Sequence, residues 1–414
     1  SITVNNSVSG LNGTLSLQSG GSISNNSGAG LMHVDKLEAR ASSGITLQGL
    51  NQISNLAANS FGGSVLVEAA APGGLNIDTV GSTTGVSGYG SVTIKQHNAG
   101  DITVKKNVSS GMAGAVTLGV ESGSGGIKLA DSGAVTLSGL ISGVSLYTNG
   151  GSIQQDAELT VSGALSMTTK STTGDITLDN AANDFTGTVT VPSTGAGAVV
   201  LKDVNALTLG AMSNMAGLSV TAGSGLTVSG AITASSGNIS LTASGLNQLL
   251  TISQPVEATN GDVSYTADNL THTASTTTAS SAGHFSEIKP FRAAPRIELA
   301  GAAPDAAGTV GLSTGDVDYF YTPLLKIGNL SNTGGIQVKS ALTPTHYGSM
   351  SLINGGTIGQ DAGSKLTITN LNADGSAGVT LMETSGNAVT NLAGRSVSGD
   401  FQFKSSAALN LGTV

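Results

Sequence analysis

Residues 174–191 read Gly-Asp-Ile-Thr-Leu-Asp-Asn-Ala-Ala-Asn-Asp-Phe-Thr-Gly-Thr-Val-Thr-Val. Two phrases in this stretch, Ile176-Thr177-Leu178 and Val189-Thr190-Val191, place one polar residue between two apolar residues. In an extended strand this alternation points both apolar side chains to the same face. The glycine and asparagine residues around the phrases favour turns. The stretch therefore predicts short, one-sided strands that are separated by tight corners.

The same apolar-polar-apolar phrase recurs along most of the chain. Between Val92 and Val263 there are about 16 strand steps, or roughly one short strand in every 11 residues. Its β-branched residues suit a pleated surface. Further examples are Ile45-Thr46-Leu47, Leu75-Asn76-Ile77, Val92-Thr93-Ile94, Ile102-Thr103-Val104, Val116-Thr117-Leu118, Val135-Thr136-Leu137, Leu207-Thr208-Leu209, Leu226-Thr227-Val228, Ile336-Gln337-Val338 and Val379-Thr380-Leu381.

Regular short strands occur in sandwiches, barrels and solenoids, and three features favour a solenoid. The strands are too short for an ordinary sandwich, they are too many for one barrel, and the inward residues are nearly all valine, isoleucine and leucine. A parallel β-helix stacks such residues coil upon coil. We therefore predict an all-β chain that forms a right-handed parallel β-helix, with roughly 20–30 residues in each coil and one irregular insertion.

A longer repeat supports this prediction. Residues 145–191, 351–403 and 16–67 are three diverged copies of one block. Each copy begins with Ser-Leu and then a Gly-Gly-Ser/Thr-Ile phrase, continues to a strand that ends in Thr-Leu, and passes an asparagine-containing stretch before its last strand. Order and spacing are both kept, so each block corresponds to about two coils.

Composition narrows the class of protein. The chain has 414 residues, of which 60 are glycine, and it contains no cysteine and no tryptophan. Without cysteine it can form no disulfide scaffold, thiolate metal site or cysteine nucleophile. A formal net charge of −9 disfavours a nucleic-acid partner. Apolar runs never approach the ~18 residues of a membrane span. The first residue is Ser1 and not methionine, which suggests a portion of a longer protein.

The repeats resemble the filamentous-haemagglutinin-like exoproteins of Gram-negative bacteria, large secreted β-helical adhesins. The resemblance rests on four phrases: Gly-Gly-Ser-Ile-Gln-Gln-Asp-Ala (150–157), Gly-Asp-Ile-Thr-Leu (174–178), Asn-Asp-Phe-Thr-Gly-Thr-Val-Thr-Val (183–191) and Ala-Leu-Thr-Leu-Gly (206–210). It covers most of 1–262 and 326–414. It implies a β-helical shaft that is exported by two-partner secretion or as an autotransporter passenger, with an outer-membrane transporter as an export partner.

Residues 266–325 break the rhythm of the repeated phrase. This stretch contains four of the eight prolines, five of the 13 aromatic residues and two of the four arginines. A long departure of this kind in a repeat protein is often functional. We therefore predict three segments: a β-helix shaft over 1–265, an irregular insertion over 266–325 that packs on the shaft or protrudes from it, and the continued shaft over 326–414.

The insertion is also where we predict a binding site. Aromatic rings together with arginines and carboxylates suit the recognition of a carbohydrate or a protein. The candidate binding residues are Phe285, Phe291, Arg292, Arg296, Asp316, Asp318, Tyr319, Phe320 and Tyr321. The alternative is structural: the insertion folds over the shaft and buries its aromatic residues against a coil, while its prolines blunt the sheet edges.

Catalysis is a rival function, because parallel β-helices include many polysaccharide-cleaving enzymes. The best local candidates are Asp316 and Asp318, near Arg292 and Arg296, since residues two apart on a strand share a face. However, Asp316 also belongs to a recurrent Gly-Asp phrase in which aspartate is most simply a turn residue. The five histidines have neither metal-ligand nor triad spacing. We therefore predict no catalytic residue, no metal site, no cofactor and no enzyme activity.

These observations predict a secreted or cell-surface protein, an adhesin or surface-fibre segment whose rigid solenoid presents a binding surface away from the cell. The expected partner is a receptor or a carbohydrate on a host or neighbouring cell. The alternative is a structural, self-assembling surface-layer or filament protein, because an uncapped solenoid end is an open sheet edge that favours self-association. The third interpretation is a polysaccharide-active β-helix enzyme.

Overall fold

A computed structural model of the chain describes residues 1–111, 113–170, 173–273, 276–301 and 308–413. These residues form 45 strands, β1 to β45, and one short helix, α1 (Thr314–Asp318). The chain divides into two compact units, Ser1–Ala216 and Gly217–Val414. No helix in the described part of the chain is long and apolar enough to cross a membrane.

Unit 1 consists almost entirely of strands, most of which have two to five residues. They are β1 (Ile2–Val4), β2 (Val8–Ser19), β3 (Ser22–Asn25), β4 (Met32–Ala41), β5 (Gly44–Ser60), β6 (Val65–Ala69), β7 (Leu75–Ile77), β8 (Thr79–Val80), β9 (Thr83–Thr84), β10 (Val86–Gly88), β11 (Val92–Gln96), β12 (Ile102–Val104), β13 (Val108–Ser110), β14 (Val116–Val120), β15 (Ile127–Leu129), β16 (Val135–Ser138), β17 (Val144–Thr148), β18 (Ile153–Gln155), β19 (Leu159–Ser162), β20 (Leu165–Thr169), β21 (Ile176–Leu178), β22 (Asp184–Phe185) and β23 (Val189–Asp203). Strand β24 (Leu207–Ala222) contains the division point.

Each coil in the middle of unit 1 contributes three strands, and each strand pairs in parallel with its equivalent in the next coil. Val92 of β11 pairs with Val116 of β14, and Val144 of β17 pairs with Leu165 of β20. Strands β12, β15 and β18 form the second face, and β13, β16 and β19 form the third. The predicted all-β fold of stacked parallel strands, a β-solenoid, is confirmed, and the spacing of the paired residues agrees with the predicted coil length.

The interior explains why the repeated phrase is so uniform. In strands such as β12 and β15, the two apolar residues are fully buried and the central polar residue is partly exposed. Because parallel pairing places like residues above one another, each coil must present an aliphatic side chain of similar size at the same position. Burial of these stacked aliphatic residues is the main stabilising contribution to the fold.

One hairpin in unit 1 departs from the parallel pattern. Strands β8 and β9 pair antiparallel, and Gly81 and Ser82 form the two-residue turn between them. Gly81 has a φ of +59°, a left-handed conformation that glycine adopts without strain. The hairpin covers Glu38, which is only 4% exposed. The turn backbone passes so close to the Glu38 carboxylate that a side chain at position 81 would overlap it.

Unit 2 also consists of stacked parallel strands, and it contains the one helix. Its elements are β25 (Leu226–Val228), β26 (Ile232–Ala234), β27 (Ile239–Ala243), β28 (Leu249–Ile252), β29 (Val256–Ala258), β30 (Val263–Thr266), β31 (Asn269–His272), β32 (Thr277–Ala279), β33 (Ser286–Lys289), β34 (Arg296–Leu299), β35 (Thr309–Leu312), α1, β36 (Phe320–Tyr321), β37 (Leu325–Ile327), β38 (Ile336–Val338), β39 (Ser349–Asn354), β40 (Thr357–Gln360), β41 (Thr367–Gly375), β42 (Gly378–Leu381), β43 (Ala388–Ser396), β44 (Phe401–Phe403) and β45 (Asn410–Leu411).

The stretch 266–325 is more regular than the sequence predicts. Strand β31 pairs with β28, β32 pairs with β29, and β33 pairs with β30, so residues 269–289 continue the coil. Thr266–Gly283, which is part of the predicted irregular insertion, therefore holds two strands. The reason is that serine, threonine and alanine side chains occupy inward positions here, as at Thr277 and Ala279, where the repeated phrase has larger aliphatic residues. Residues 274–275 and 302–307 of the stretch lie outside the described residues.

The true departure is a single enlarged coil. Val263 of β30 pairs with Ser286 of β33, which is an ordinary step from one coil to the next. Ser286 then pairs with Leu325 of β37, a much longer step along the sequence. The extra length holds β34, β35 and α1. Strand β34 pairs in parallel with both β35 and β38, so β35 is an additional strand in this face of the stack. Strand β35 also lies against β31.

Candidate functional site

The nine candidate binding residues occupy several separate places in unit 2. Phe291 and Arg292 lie at a corner, and Phe285 and Arg296 lie at other positions on the surface. Asp316, Tyr319 and Phe320 surround the buried ring of His272, while Asp318 and Tyr321 meet at the surface. In the described part of the chain, no hydrogen bond or ion pair joins Arg292 or Arg296 to Asp316 or Asp318.

Arg292 has a structural role at its corner. Its Nε donates a hydrogen bond to Asp268 Oδ2, and its NH2 donates to Asn247 Oδ1 at 2.9 Å. Asp268 is buried and also accepts from the backbone N–H groups of Asn247 and Arg292. Asn247 has a positive φ of +56°. The arginine therefore neutralises a buried carboxylate that fixes two successive corners. Neighbouring Phe291 is exposed.

The side chains of Phe285 and Arg296 make local contacts. The Nζ of Lys326 lies 3.2 Å from the centroid of the Phe285 ring, which is a cation–π arrangement between adjacent coils. Arg296 is exposed, and its Nε lies 3.7 Å from Glu298 Oε1. Exposed pairs of this kind contribute little to stability.

Asp316 caps the helix α1. Ser313 Oγ accepts from the Asp316 N–H at 3.1 Å, and Asp316 Oδ2 accepts from the Ser313 N–H at 2.9 Å, which is a capping box. The second carboxylate oxygen, Oδ1, accepts from the backbone N–H of His272 at 2.9 Å. The prediction that Asp316 and Asp318 share a face of a strand is therefore wrong. Both lie in a helix, where residues two apart point to nearly opposite sides.

Behind Asp316, a buried aromatic cluster fills the core of the enlarged coil. The ring of Phe320 lies 5.1 Å from that of His272 and 5.9 Å from that of Tyr265, and the ring of Tyr319 lies 5.8 Å from His272. Phe320 and Tyr265 are fully buried. The structural alternative from the sequence thus describes Phe320 correctly. These large rings occupy space that valine and leucine fill elsewhere in the solenoid.

His272 is neutral in this cluster. Its Nδ1 lies 3.1 Å from the Asp316 carbonyl oxygen, which can only accept, so Nδ1 carries the proton. Nε2 then accepts from the Thr277 hydroxyl at 3.0 Å, and the Thr277 oxygen accepts from Tyr265 at 2.7 Å. Burial lowers the pKa of His272 below its usual range. This chain of hydrogen bonds uses both ring nitrogens and both hydroxyls, so it leaves none of them for a ligand.

Asp318 and Tyr321 belong to a different, solvent-facing arrangement. Asp318 accepts from the Thr345 N–H at 2.7 Å and from the Thr345 hydroxyl at 2.8 Å. The ring of His346 stacks on that of Tyr321, with centroids 4.0 Å apart and planes inclined by 28°. His346 Nδ1 also lies 2.7 Å from the Asp318 carbonyl oxygen. We call Asp318, Tyr321, Thr345 and His346 the Tyr321 cluster.

An open groove runs beside the Tyr321 cluster. It has a volume of about 390 Å³ and is lined by Thr314, Gly315, Asp318, Ala341, Leu342, Thr343 and Pro344. The same loop, 341–348, also forms one side of a second groove of about 310 Å³. Tyr321 is 40% exposed. The arrangement offers a flat ring surface, a carboxylate and backbone groups, which together suit the binding of a sugar or a peptide.

Sequence reasoning missed Thr345 and His346. They lie in the segment Thr343-Pro-Thr-His-Tyr-Gly348, which breaks the aliphatic rhythm with a proline and two ring residues. That local change of composition is the available signal. In the described part of the chain, no three histidine or acidic residues stand close enough to hold a metal ion.

Comparison with known families gives one partial match. A family model described as repeats of unknown function (DUF5649) matches residues 124–192 and 196–253, less than a third of the chain. Comparison with curated proteins found no match. Comparison with solved structures found none either. The matched residues belong to regular coils, so the chain is a repeat β-helical protein.

Proposed function

We propose that this chain is an extracellular adhesin or surface-fibre segment of the filamentous-haemagglutinin type, secreted or held at a bacterial cell surface. The Tyr321 cluster carries this proposal. Here an exposed tyrosine and a histidine are stacked beside a carboxylate and an open groove. Convergence of ring, charge and groove is typical of a recognition site.

The rest of the fold supports a scaffold role. Stacked aliphatic residues and parallel backbone pairing make each unit stiff, because every coil is held by the coil before and the coil after. A stiff support presents a binding surface at low cost in conformational entropy. The proposed partner is a receptor or carbohydrate on a host or neighbouring cell, and export would use an outer-membrane transporter.

We place binding ahead of catalysis for a chemical reason. A glycosidase needs two carboxylates across the scissile bond. Both oxygens of Asp316 accept hydrogen bonds that fix helix α1 and strand β31, and both oxygens of Asp318 accept from Thr345. Asp318 therefore acts in this proposal as a positioning group for the loop 341–348.

The test is binding of the purified chain to host cells and to an array of glycans and matrix proteins. Tyr321→Ala and His346→Ala should each weaken binding at least tenfold, with an unchanged circular dichroism spectrum. Tyr89→Ala is the matched control, because Tyr89 is 72% exposed in unit 1 and lies far from the cluster in sequence. Equal binding of wild type and Tyr321→Ala would refute the proposal.

Electron microscopy separates this proposal from the filament alternative. An adhesin segment should give single particles or isolated fibres on the native cell surface. A continuous filament or a lattice, unaffected by Tyr321→Ala, would favour the self-assembling structural protein. Cleavage of a polysaccharide that is lost in Asp318→Asn would favour the enzyme interpretation instead.

A further inference from the structure

A second surface feature lies in unit 1, on neighbouring coils formed by β2, β4 and β5. Gln18 of β2 pairs with Arg40 of β4, and Arg40 pairs with Asn59 of β5. In-register parallel strands place these residues at a spacing of about 4.8 Å along the stack. Gln18 is exposed, while Arg40 and Asn59 are partly exposed. The three planar polar groups therefore form a short row on the outer face.

Phe61 stands at the corner beside this row. Its ring is 57% exposed, and the Arg40 guanidinium carbon lies 5.9 Å from the ring centroid. The corners of the two preceding coils carry Gly20 and Ser42 in the same region. Because these residues are small, a groove of about 340 Å³ opens between the ring and the row. We call Gln18, Arg40, Asn59 and Phe61 the Arg40 site.

The charge of Arg40 has no carboxylate partner among the described residues, since no carboxylate oxygen lies within 4 Å of its guanidinium. The other three arginines each pair with an acidic side chain, Arg292 with Asp268, Arg296 with Glu298 and Arg395 with Asp374. Arg40 instead donates to the Ser82 hydroxyl at 3.3 Å, which ties it to the β8–β9 hairpin. A guanidinium without an acidic partner is notable in a chain of net charge −9.

Glu38 is the acidic residue nearest to Arg40 in sequence, but its carboxylate oxygens accept hydrogen bonds from other groups. Its Oε1 accepts from the Ser82 N–H and from the Ser82 and Thr83 hydroxyls, at 2.8 to 3.0 Å. Its Oε2 accepts from Ser16 at 2.7 Å. The hairpin also covers this carboxylate, so it presents no free oxygen to the groove. Arg40 thus keeps most of its N–H groups for an external acceptor.

The exposure of Phe61 is not a requirement of the fold. In the repeat block 145–191, the equivalent residue is Phe185, which also lies four residues before the strand valine and is buried. At Phe61 the inward position belongs to Ser60, which pairs with Ala41. Phe61 follows that inward position, whereas Phe185 itself occupies the inward position at the end of strand β22. Because successive side chains of a strand point to opposite faces, this difference of one residue turns Phe61 outward.

We propose that the Arg40 site binds a saccharide that carries a carboxylate, such as a uronic or sialic acid residue. The planar guanidinium matches a carboxylate through two parallel hydrogen bonds. The exposed ring offers an apolar surface to the C–H face of the sugar. Gln18, which lines the groove, supplies donors and acceptors for sugar hydroxyls, and the Asn59 amide lies beside Arg40 on the next strand, at the edge of the site. This inference goes beyond the proposed function and uses no residue of the Tyr321 cluster.

Calorimetric titration of the full chain tests the proposal. The probes are a uronic acid tetrasaccharide and a sialylated trisaccharide, each with its carboxyl-reduced counterpart. Wild type should bind at least one acid and lose at least tenfold in affinity for its reduced form. Arg40→Gln and Phe61→Ala should each lose at least tenfold. Arg395→Gln, which removes the same charge from a surface ion pair, and Tyr89→Ala should bind as wild type does.

Four results would overturn the proposal. The first three are absence of binding to both acids, unchanged binding in Arg40→Gln, and an equal loss in Arg395→Gln, which would indicate a general charge effect. The fourth is tighter binding of a sulfated tetrasaccharide than of its carboxylated counterpart. Tyr321→Ala should retain the acid binding, so failure of the Arg40 site and failure of the proposed function are distinguishable.

Discussion

At the scale of single residues, some glycines lie where a side chain would overlap a neighbouring group. Gly119 of β14 pairs with Tyr147 of β17, and the tyrosine ring lies across the space that a side chain at position 119 would occupy. The Tyr147 hydroxyl donates to Glu121 Oε1 at 2.5 Å, and Lys95 Nζ lies 3.0 Å from the same oxygen. The hydrogen bond from Tyr147 is the main cause that lowers the pKa of Glu121.

Gly119→Ala should therefore lower the free energy of unfolding by about 1–3 kcal/mol, a typical cost of overpacking. The methyl group displaces the Tyr147 ring and breaks its bond to Glu121. Chemical denaturation of four proteins, wild type, Gly119→Ala, Tyr147→Ala and the double variant, measures the coupling. In the Tyr147→Ala background the alanine at position 119 should cost much less. Equal costs in both backgrounds would contradict the contact.

Glu38 gives a pH-dependent prediction. The hydrogen bond from Ser16, helped by those from Thr83 and Ser82, lowers the pKa of Glu38 from 4.5 to about 2. A carboxyl group with a lowered folded-state pKa stabilises the fold above its unfolded pKa, and this contribution disappears as the pH falls from 4.5 to about 2. Glu38→Gln should be less stable than wild type at pH 7, and the difference should shrink as the solution becomes strongly acidic. Thermal unfolding of both proteins over this pH range measures the difference. A difference in stability that stays constant with pH would contradict the lowered pKa of Glu38.

At the scale of elements, the sequence predicts strands well and corners poorly. Alternation in phrases such as Ile176-Thr177-Leu178 identifies the buried face directly, because the side-chain period of a strand is two. Corners have no such period. Phe61 and Phe185 each lie four residues before a strand valine, yet Phe61 is exposed and Phe185 is buried, because the last inward-facing residue before the corner is Ser60 in one block and Phe185 in the other. A shift of one residue moves every following side chain to the opposite face, until the next strand begins in its own register.

The candidate site is likewise only partly predictable from the sequence. Asp318 and Tyr321 are among the residues that the sequence predicts, whereas Thr345 and His346, which complete the Tyr321 cluster, are not. The two pairs lie about one coil apart in sequence. Their contact depends on the length of the coil between them, and that length is set by corner residues that carry little periodic information. The inserted strand β35 and the helix α1 enlarge this region further.

The helix α1 yields a prediction at this scale. Asp316→Ala removes the capping box and leaves the buried N–H of His272 without an acceptor, so the free energy of unfolding should fall by about 2–4 kcal/mol. Asp318→Asn should lower it by less than about 1 kcal/mol, because Asp318 is partly exposed. Urea denaturation compares the two variants. Loss of binding without loss of stability in Asp316→Ala would instead assign Asp316 to a binding site.

At the scale of the whole molecule, the long repeats share one feature, a pair of amide side chains that hydrogen-bond to each other. Gln155 and Asn183 exchange two side-chain hydrogen bonds, Nε2 to Oδ1 at 2.7 Å and Nδ2 to Oε1 at 2.8 Å. Gln360 and Asn387 do the same at 2.7 and 3.1 Å. In the first block, Asn25 Nδ2 donates to Asn51 Oδ1 at 3.3 Å. The three pairs join successive coils at equivalent corners.

This amide pair explains why polar residues are kept at the same positions in the diverged repeats. In addition to the bond with its partner amide, Asn183 accepts from the Leu159 N–H, Asn387 from the Leu366 N–H and Asn51 from the Met32 N–H. These three asparagines are fully buried. A buried amide that satisfies a corner backbone cannot be replaced by an aliphatic residue without leaving donors and acceptors unpaired. The spacing that the repeats share is therefore a structural signature and carries no information about a ligand.

The last prediction follows from the nearest-neighbour character of a solenoid, in which a coil depends mainly on the coils it touches. Asn183→Leu leaves the Leu159 N–H without an acceptor and removes both hydrogen bonds between Gln155 and Asn183, at a cost of about 2–5 kcal/mol. Hydrogen exchange followed by peptide mapping should show lost protection centred on residues 155–185, with residues 360–390 unchanged. Asn387→Leu is the matched variant, and it should reverse that pattern. Uniform loss across the whole chain in either variant would mean that cooperativity extends beyond neighbouring coils, and the nearest-neighbour description would then be wrong.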